Sequence, residues 1–118
     1  MGTTTVKLKI KNPAEPKLVI EEEFLVDSGA SFTVLPKKIA RKLHLKPKHE
    51  QEFSLADGRT IKRKIGAALI NFRGKETASP VVLGEKDDTP LLGTLTLESL
   101  GLVLDPFQRK LYPAKLVL

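Results

Sequence analysis

Apolar and polar residues alternate from the start of the chain. Val6, Leu8 and Ile10 are separated by lysines. Successive side chains of a strand face opposite sides, so a strand is predicted over Thr3 to Ile10. Asn12-Pro13-Ala14-Glu15-Pro16 is a turn cluster, and Lys17 to Val26 reads as the returning strand. In its middle Glu21 to Glu23 form an acidic patch, which reads as a solvated stretch because adjacent side chains point to opposite faces. Alternation then gives way to Phe24, Leu25 and Val26, the unbroken apolar pattern of a strand covered on both faces. This run leads straight into Asp27, Ser28, Gly29 and Ala30. A carboxylate at the end of a buried strand is costly to desolvate. Gly29 lets the backbone turn tightly and lets another backbone come close. Asp27 is therefore expected at a buried turn, held there for its chemistry.

Phe32 to Leu35 predicts a short strand, and Pro36 suits the first position of a helix. Ile39, Ala40 and Leu43 recur at helical spacing, so this helix is expected to end near Leu45, ahead of Pro47. Gln51 to Leu55 and Thr60 to Phe72 are predicted strands joined at Asp57-Gly58, a hairpin signal. Along the longer strand Ile61, Ile65, Ala67 and Leu69 share one face by alternation. Arg73-Gly74-Lys75 is a second turn, followed by a strand over Thr77 to Leu83. Gly84 to Pro90 is a polar loop in which Asp87 and Asp88 read as turn or helix-capping carboxylates. Leu91-Leu92-Gly93 precedes a short helix over Thr94 to Leu100, with Leu95 and Leu97 expected to be buried and Gly101 at its C-terminal end. Leu102 to Leu104 and Lys110 to Tyr112 complete the strands around a turn at Asp105-Pro106-Phe107-Gln108. The tail, Ala114 to Leu118, is apolar and is expected to fold back or pair with another chain. The pattern predicts an all-β protein of about nine short strands and two short helices, closed or sandwiched.

At 118 residues the chain reads as one domain, 1–118, with a modest core that association would help to stabilise. Apolar content of 41% and charged content of 29% are those of a globular protein and exclude disorder. No apolar run is long enough to span a bilayer. The N-terminal alternation lacks the apolar core of a signal peptide, and Val6 stands where a myristoylation signal needs Ser or Thr. A cytoplasmic location and no membrane partner are expected. The absence of cysteine excludes disulfides, thiolate metal sites and cysteine nucleophiles. His44, late in a helix, and His49, in a polar loop, read as surface residues with no third ligand nearby, so neither a metal nor another cofactor is expected. The net charge of +6 raises nucleic acid as a partner. However, the cations are spread along the chain and few aromatics lie among them, so nucleic-acid binding is not expected.

Two motifs carry chemistry. Asp27-Ser28-Gly29-Ala30 after an apolar strand resembles the Asp-Thr/Ser-Gly-Ala signature of aspartic proteases. Leu91-Leu92-Gly93, ahead of a short helix, resembles that family's second signature. Their order around a hairpin-rich stretch is similar to that of the single-domain, retropepsin-like (retroviral-type) members, over roughly Lys17 to Pro113. The resemblance implies an acid-protease half-barrel and an aspartic endopeptidase with Asp27 as catalytic residue and no cofactor. It implies that Ser28 hydroxyls bond across a two-fold axis, that Gly29 lets two backbones approach and that its carbonyl binds substrate backbone. Ala30 offers no hydroxyl to the carboxylate, which favours a less acidic pH optimum than in relatives with Ser or Thr there. The hairpin tip at Ala56, Asp57, Gly58 and Arg59 resembles the family's flap, although its charges depart from the glycine-rich, apolar flaps of many retroviral members. Leu91, Leu92 and Gly93 are implied to support the Asp27 loop.

The chemistry of this class needs two carboxylates sharing one proton, and like charges about 3 Å apart cannot both ionise, the familiar behaviour of aspartic-protease pairs. The chain supplies one suitable carboxylate. Asp57 lies at a hairpin tip and Asp105 precedes a proline in a turn, neither with the Ser-Gly-Ala context. A homodimer contributing one Asp27 per subunit, acting on an extended polypeptide, is therefore expected. The competing readings are a catalytically weak or inactive dimerisation or peptide-binding module of the same fold, and a basic nucleic-acid-binding β domain.

Overall fold

The computed structural model describes residues 3–115 and 117. Among these residues lie nine strands and two short helices. They are β1 (Thr5–Asn12), β2 (Glu15–Val26), β3 (Thr33–Leu35), α1 (Lys37–Lys42), β4 (His49–Ser54) and β5 (Thr60–Phe72). Then come β6 (Lys75–Leu83), β7 (Leu91–Leu92), α2 (Thr94–Ser99), β8 (Leu102–Asp105) and β9 (Lys110–Pro113).

Seven strands form one sheet in the order β1-β2-β7-β3-β6-β5-β4, and β1 also pairs with β5. That pairing, Lys9 to Lys11 against Asn71 to Leu69, closes six strands into a ring and leaves β4 outside it. Closure removes exposed edges from the ring. Leu8, Ile10, Phe24, Leu35, Ile70 and Leu92 are fully buried in the core, with Leu43 and Leu100 packed in from the helix ends. Each such side chain contributes about 1.5–3 kcal/mol relative to exposure. β8 and β9 form a separate two-stranded sheet. The all-β architecture with two short helices agrees with the sequence reading.

Several details differ from it. β1 starts at Thr5 and runs on through Asn12, so Glu15 and Pro16 belong to β2 and not to the turn. Asn12 explains this: its Oδ1 accepts the Ala14 N–H at 2.8 Å, and its Nδ2 donates to the Leu43 carbonyl at 2.7 Å. One buried amide thus makes the turn and satisfies the C-terminal end of α1. Pro36 stands just before α1 as its N-cap, with ψ 155°, and not inside its first turn. His49 begins β4 and does not lie in a loop. On β5 the buried face changes along the strand. Ile61 and Ile65 are turned inward at the start, but Ala68, Ile70 and Phe72 fill the core further on, and Ala67 and Leu69 are half-buried. The strand leaves the ring to pair with β4, so its two ends meet different surroundings. Leu95 is 37% exposed, contrary to expectation, while Leu97 is buried. In a helix as short as α2, the face between the strands belongs to Thr96, Leu97 and Leu100. The tail is partly outside the described residues, at Leu116 and Leu118. Its beginning folds back, with the Ala114 N–H donating to the Gly101 carbonyl at 2.7 Å.

Candidate active site

The apolar end of β2 runs parallel to β7, with Leu25 opposite Leu91 and Val26 opposite Leu92. β3 flanks β7 on its other side, antiparallel, with Val34 opposite Leu91. The two sequence motifs are therefore adjacent in the sheet. Hydrogen bonds tie them at both ends of the loop. The Asp27 N–H donates to the Leu92 carbonyl at 3.0 Å, the Thr94 N–H to the Ala30 carbonyl at 2.8 Å, and the Leu95 N–H to the Ser31 carbonyl at 3.0 Å. Gly93 makes this crossing possible. A Cβ there would lie 2.5 Å from both the carbonyl carbon and oxygen of Phe32, and those backbone atoms cannot step aside.

A buried chain of hydroxyls lies beneath. The Gly93 N–H donates to Thr33 Oγ1 at 3.0 Å. Thr33 Oγ1 is 2.6 Å from Thr96 Oγ1, which is 2.8 Å from Ser79 Oγ. Ser79 in turn donates to the Pro80 carbonyl at 3.1 Å. One direction of donation satisfies every link: Gly93 N–H to Thr33, Thr33 to Thr96, Thr96 to Ser79, Ser79 to Pro80. A fully satisfied buried network of this kind fixes one arrangement of its elements.

Asp27 is half-buried, and its Oδ1 accepts the Gly29 N–H at 2.8 Å. The Ala30 N–H donates to the Asp27 carbonyl at 3.2 Å, closing the turn. A side chain at Gly29 would come within 3.2 Å of that same Oδ1. Ser28 and Gly29 are exposed. A shallow hollow of about 250 Å³ borders Asp27, with Thr3 and Thr4 on one side and Leu104 and Pro106 on the other.

A larger cleft of about 550 Å³ starts at Gly29 and Ala30. Phe32 lines it together with Phe53, Leu55 and Ile61 of the β4–β5 hairpin. Phe32 and Phe53 meet edge to face at 5.5 Å between ring centroids, an arrangement favoured by their quadrupoles. Asp88 closes the far side, where its Oδ2 accepts the Glu85 N–H at 2.7 Å and faces Arg63 Nε at 3.8 Å. It closes its own loop and caps no helix: the N-cap of α2 is Gly93, without a side-chain bond.

The hairpin tip stands in solvent beyond the lining of the cleft, with Ala56, Asp57, Gly58 and Arg59 all exposed. The Gly58 N–H donates to the Leu55 carbonyl at 3.0 Å and Gly58 has φ 88°, the geometry of a three-residue loop that favours glycine. Asp57 Oδ1 accepts the Arg59 N–H at 3.0 Å and Oδ2 accepts Arg59 Nε at 2.6 Å. These bonds hold the Asp57 carboxyl below the usual aspartate range.

The structure thus brings the Asp27 loop and Leu91-Leu92-Gly93 together and sets the hairpin across a cleft from them. Sequence reasoning missed Thr33, Ser79 and Thr96, and also Phe32, Phe53, Arg63 and Asp88 around the cleft. Thr33, set between Phe32 and Val34 at the start of a short apolar strand, was one available signal for a buried hydroxyl. Among the described residues no group of three or more His, Cys, Asp or Glu is arranged to hold a metal ion, and no helix is long and apolar enough to cross a membrane.

A closed ring of strands with two short helices, with an Asp-Ser-Gly loop leaving the end of β2, is the fold of the retroviral proteases. Among 106 matching solved chains is the EIAV protease complexed with the inhibitor HBY-793. It superposes with a TM-score of 0.62 at 18% identity, over 99% of this chain and 94% of that one. Residues 21–99 match the model of the family described as "gag-polyprotein putative aspartyl protease", and the chain belongs to that family. No curated protein sequence matches it.

Proposed function

We propose that the chain is an aspartic endopeptidase that works as a homodimer, one Asp27 from each subunit meeting at the two-fold axis. The observation that carries this reading is the setting of Asp27. Its carboxylate is half-buried at the junction of two bonded loops and oriented by the Gly29 N–H, beside a cleft large enough for peptide side chains. The other candidate aspartates are committed elsewhere. Asp57 is bound to Arg59, and Asp105 Oδ1 accepts the N–H groups of Phe107 and Gln108 in a turn. A second copy is thus the source of the second acid.

In this reading the two Asp27 carboxyls share one proton. The ionised member takes a proton from a water as it attacks the scissile carbonyl, and the protonated member donates to the carbonyl oxygen. Ser28 and Gly29 form the contact between the two loops, while Leu91, Leu92 and Gly93 hold each loop from below. The β4–β5 hairpin acts as the flap, closing over an extended polypeptide and excluding water.

The exposed surface favours association. Val103, Tyr112 and Phe107 of the β8–β9 hairpin are exposed, Phe107 at 88%, and Leu104 and Pro106 of the same hairpin border Asp27. Large apolar side chains clustered beside a site are the usual mark of an interface. The test is cleavage of an unfolded protein at mildly acidic pH. Activity inhibited by statine-type compounds and abolished in Asp27→Asn supports the proposal; activity that survives the substitution refutes it.

A further inference from the structure

A groove on the outer side of the molecule gathers cations that are far apart in the sequence. Its floor is the end of β6, where the Gly84 N–H donates to the Leu35 carbonyl at 2.8 Å and the Lys37 N–H to the Glu85 carbonyl at 3.3 Å. Its walls are α1, the connection after it, and β5. Gly66 on β5 lets that connection settle onto the sheet, since a Cβ there would meet the Lys46 carbonyl oxygen at 3.2 Å. The hollow measures about 490 Å³.

Lys37 and Arg41 line it from α1, Lys46 from the connection, and Lys62, Arg63 and Lys64 from β5. Two carboxylates, Glu50 and Glu85, share the lining, so six permanent cations face two anions. Among the described residues one of the six is ion-paired, Arg63 with Asp88 at 3.8 Å. The cations that look scattered along the chain are therefore concentrated by the fold, and Glu50, Glu85 and Asp88 offset their mutual repulsion only in part. An anionic occupant offsets it.

Two observations choose the occupant. The lining holds no Phe, Tyr or Trp, and its one aromatic ring, His44, is turned to Glu15 at 3.5 Å, so bases would find a poor stacking platform. Arg63 also lines the cleft beside Asp27, so the two hollows share a rim. We propose that the groove receives an acidic stretch of the polypeptide substrate as it runs out of the cleft. This inference rests on the peptidase reading. In a symmetric dimer each subunit contributes one groove, so acidic residues on both sides of the cleaved bond are recognised.

Two peptides with one apolar core, flanked on both sides by Glu or by Gln, test it. The Glu peptide is expected to show a KM about tenfold lower with kcat little changed, because charge complementarity acts on capture. The difference should vanish in the triple variant Lys37→Ala/Arg41→Ala/Lys64→Ala, whose fold is checked by circular dichroism, and should shrink with added salt. Equal KM values for the two peptides, or a preference that survives the triple variant, overturn the proposal. A parallel arm measures fluorescence anisotropy of the labelled Glu peptide with the Asp27→Asn protein. Binding there that the triple variant loses keeps the groove assignment even if the wild type cleaves neither peptide, in which case the peptidase reading alone falls. A single-stranded oligonucleotide that binds the groove while the Glu peptide does not assigns it to nucleic acid and overturns the proposal.

Discussion

Thr33 Oγ1 lies 2.6 Å from Thr96 Oγ1, joining the strand that follows the Asp27 loop to the helix that follows Gly93. Both residues are fully buried, so neither hydroxyl can turn to water. Thr96→Val preserves shape but leaves Thr33 without an acceptor and Ser79 without its donor. The expected loss is about 1–3 kcal/mol of stability, the cost of stranding buried polar groups. Urea unfolding measures it; a loss under about 0.5 kcal/mol would mean that the chain of hydroxyls contributes no more than a surface contact.

Two glycines of similar sequence appearance should respond differently. Gly93→Ala drives a methyl group to 2.5 Å from the Phe32 carbonyl, where the backbone of both loops must shift. A loss above about 4 kcal/mol, or failure to fold, is expected. Gly58→Ala meets nothing within 4 Å and suffers only from its φ of 88°, costing about 1–2 kcal/mol. Thermal melts of the two variants side by side check the ranking.

At the hairpin tip the Arg59 bonds hold the Asp57 carboxyl below its ordinary value. A depressed carboxylate contributes stability above its unfolded pKa and loses it as pH falls through the lower native value. The Asp57–Arg59 bridge should therefore persist through mildly acidic conditions and open only below the ordinary aspartate value. A carbon-13 NMR titration of the Asp57 carboxyl follows this directly. A midpoint at or above the ordinary aspartate value would show that the bridge does not form in solution.

The exposed β8–β9 hairpin predicts a separation of folding from assembly. Phe107 is 88% exposed in the single chain, so Phe107→Glu should leave the fold intact. If the hairpin forms the contact between subunits, burying that charge is prohibitive and the variant should sediment as a monomer. Dimers of undiminished strength would move the interface elsewhere.

The parts of the structure that local chemistry dictates were readable in advance. The Phe24-Leu25-Val26 run, Gly29, Gly93 and the Asp57-Gly58 and Arg73-Gly74 turns each impose a backbone outcome on their immediate neighbours. The two motifs could be paired because both resemble signatures of one family and follow its order along the chain. What depended on distant chain was hidden. Along β5 the alternation gives way to an unbroken non-polar run from Ile65 to Ile70, which does not by itself report which face turns to the core, so the handover from Ile61 and Ile65 to Ala68 and Ile70 was hidden. Phe32 and Phe53 are partners only because the hairpin folds across the cleft. Lys37 and Lys62 share a groove only because Gly66 lets the connection after α1 lie down. Asn12 was read as a turn residue, and its second task at the end of α1 required the helix to be in place.

The central claim is that activity needs an Asp27 from each of two subunits, and mixing measures this most directly. Wild type and Asp27→Asn are combined in equal amounts, allowed to exchange subunits, and assayed at constant total protein. If both acids are needed, the mixture retains about one quarter of the wild-type activity, because one pairing in four carries two aspartates. Retention of about one half, the result for subunits that act alone, would contradict the account.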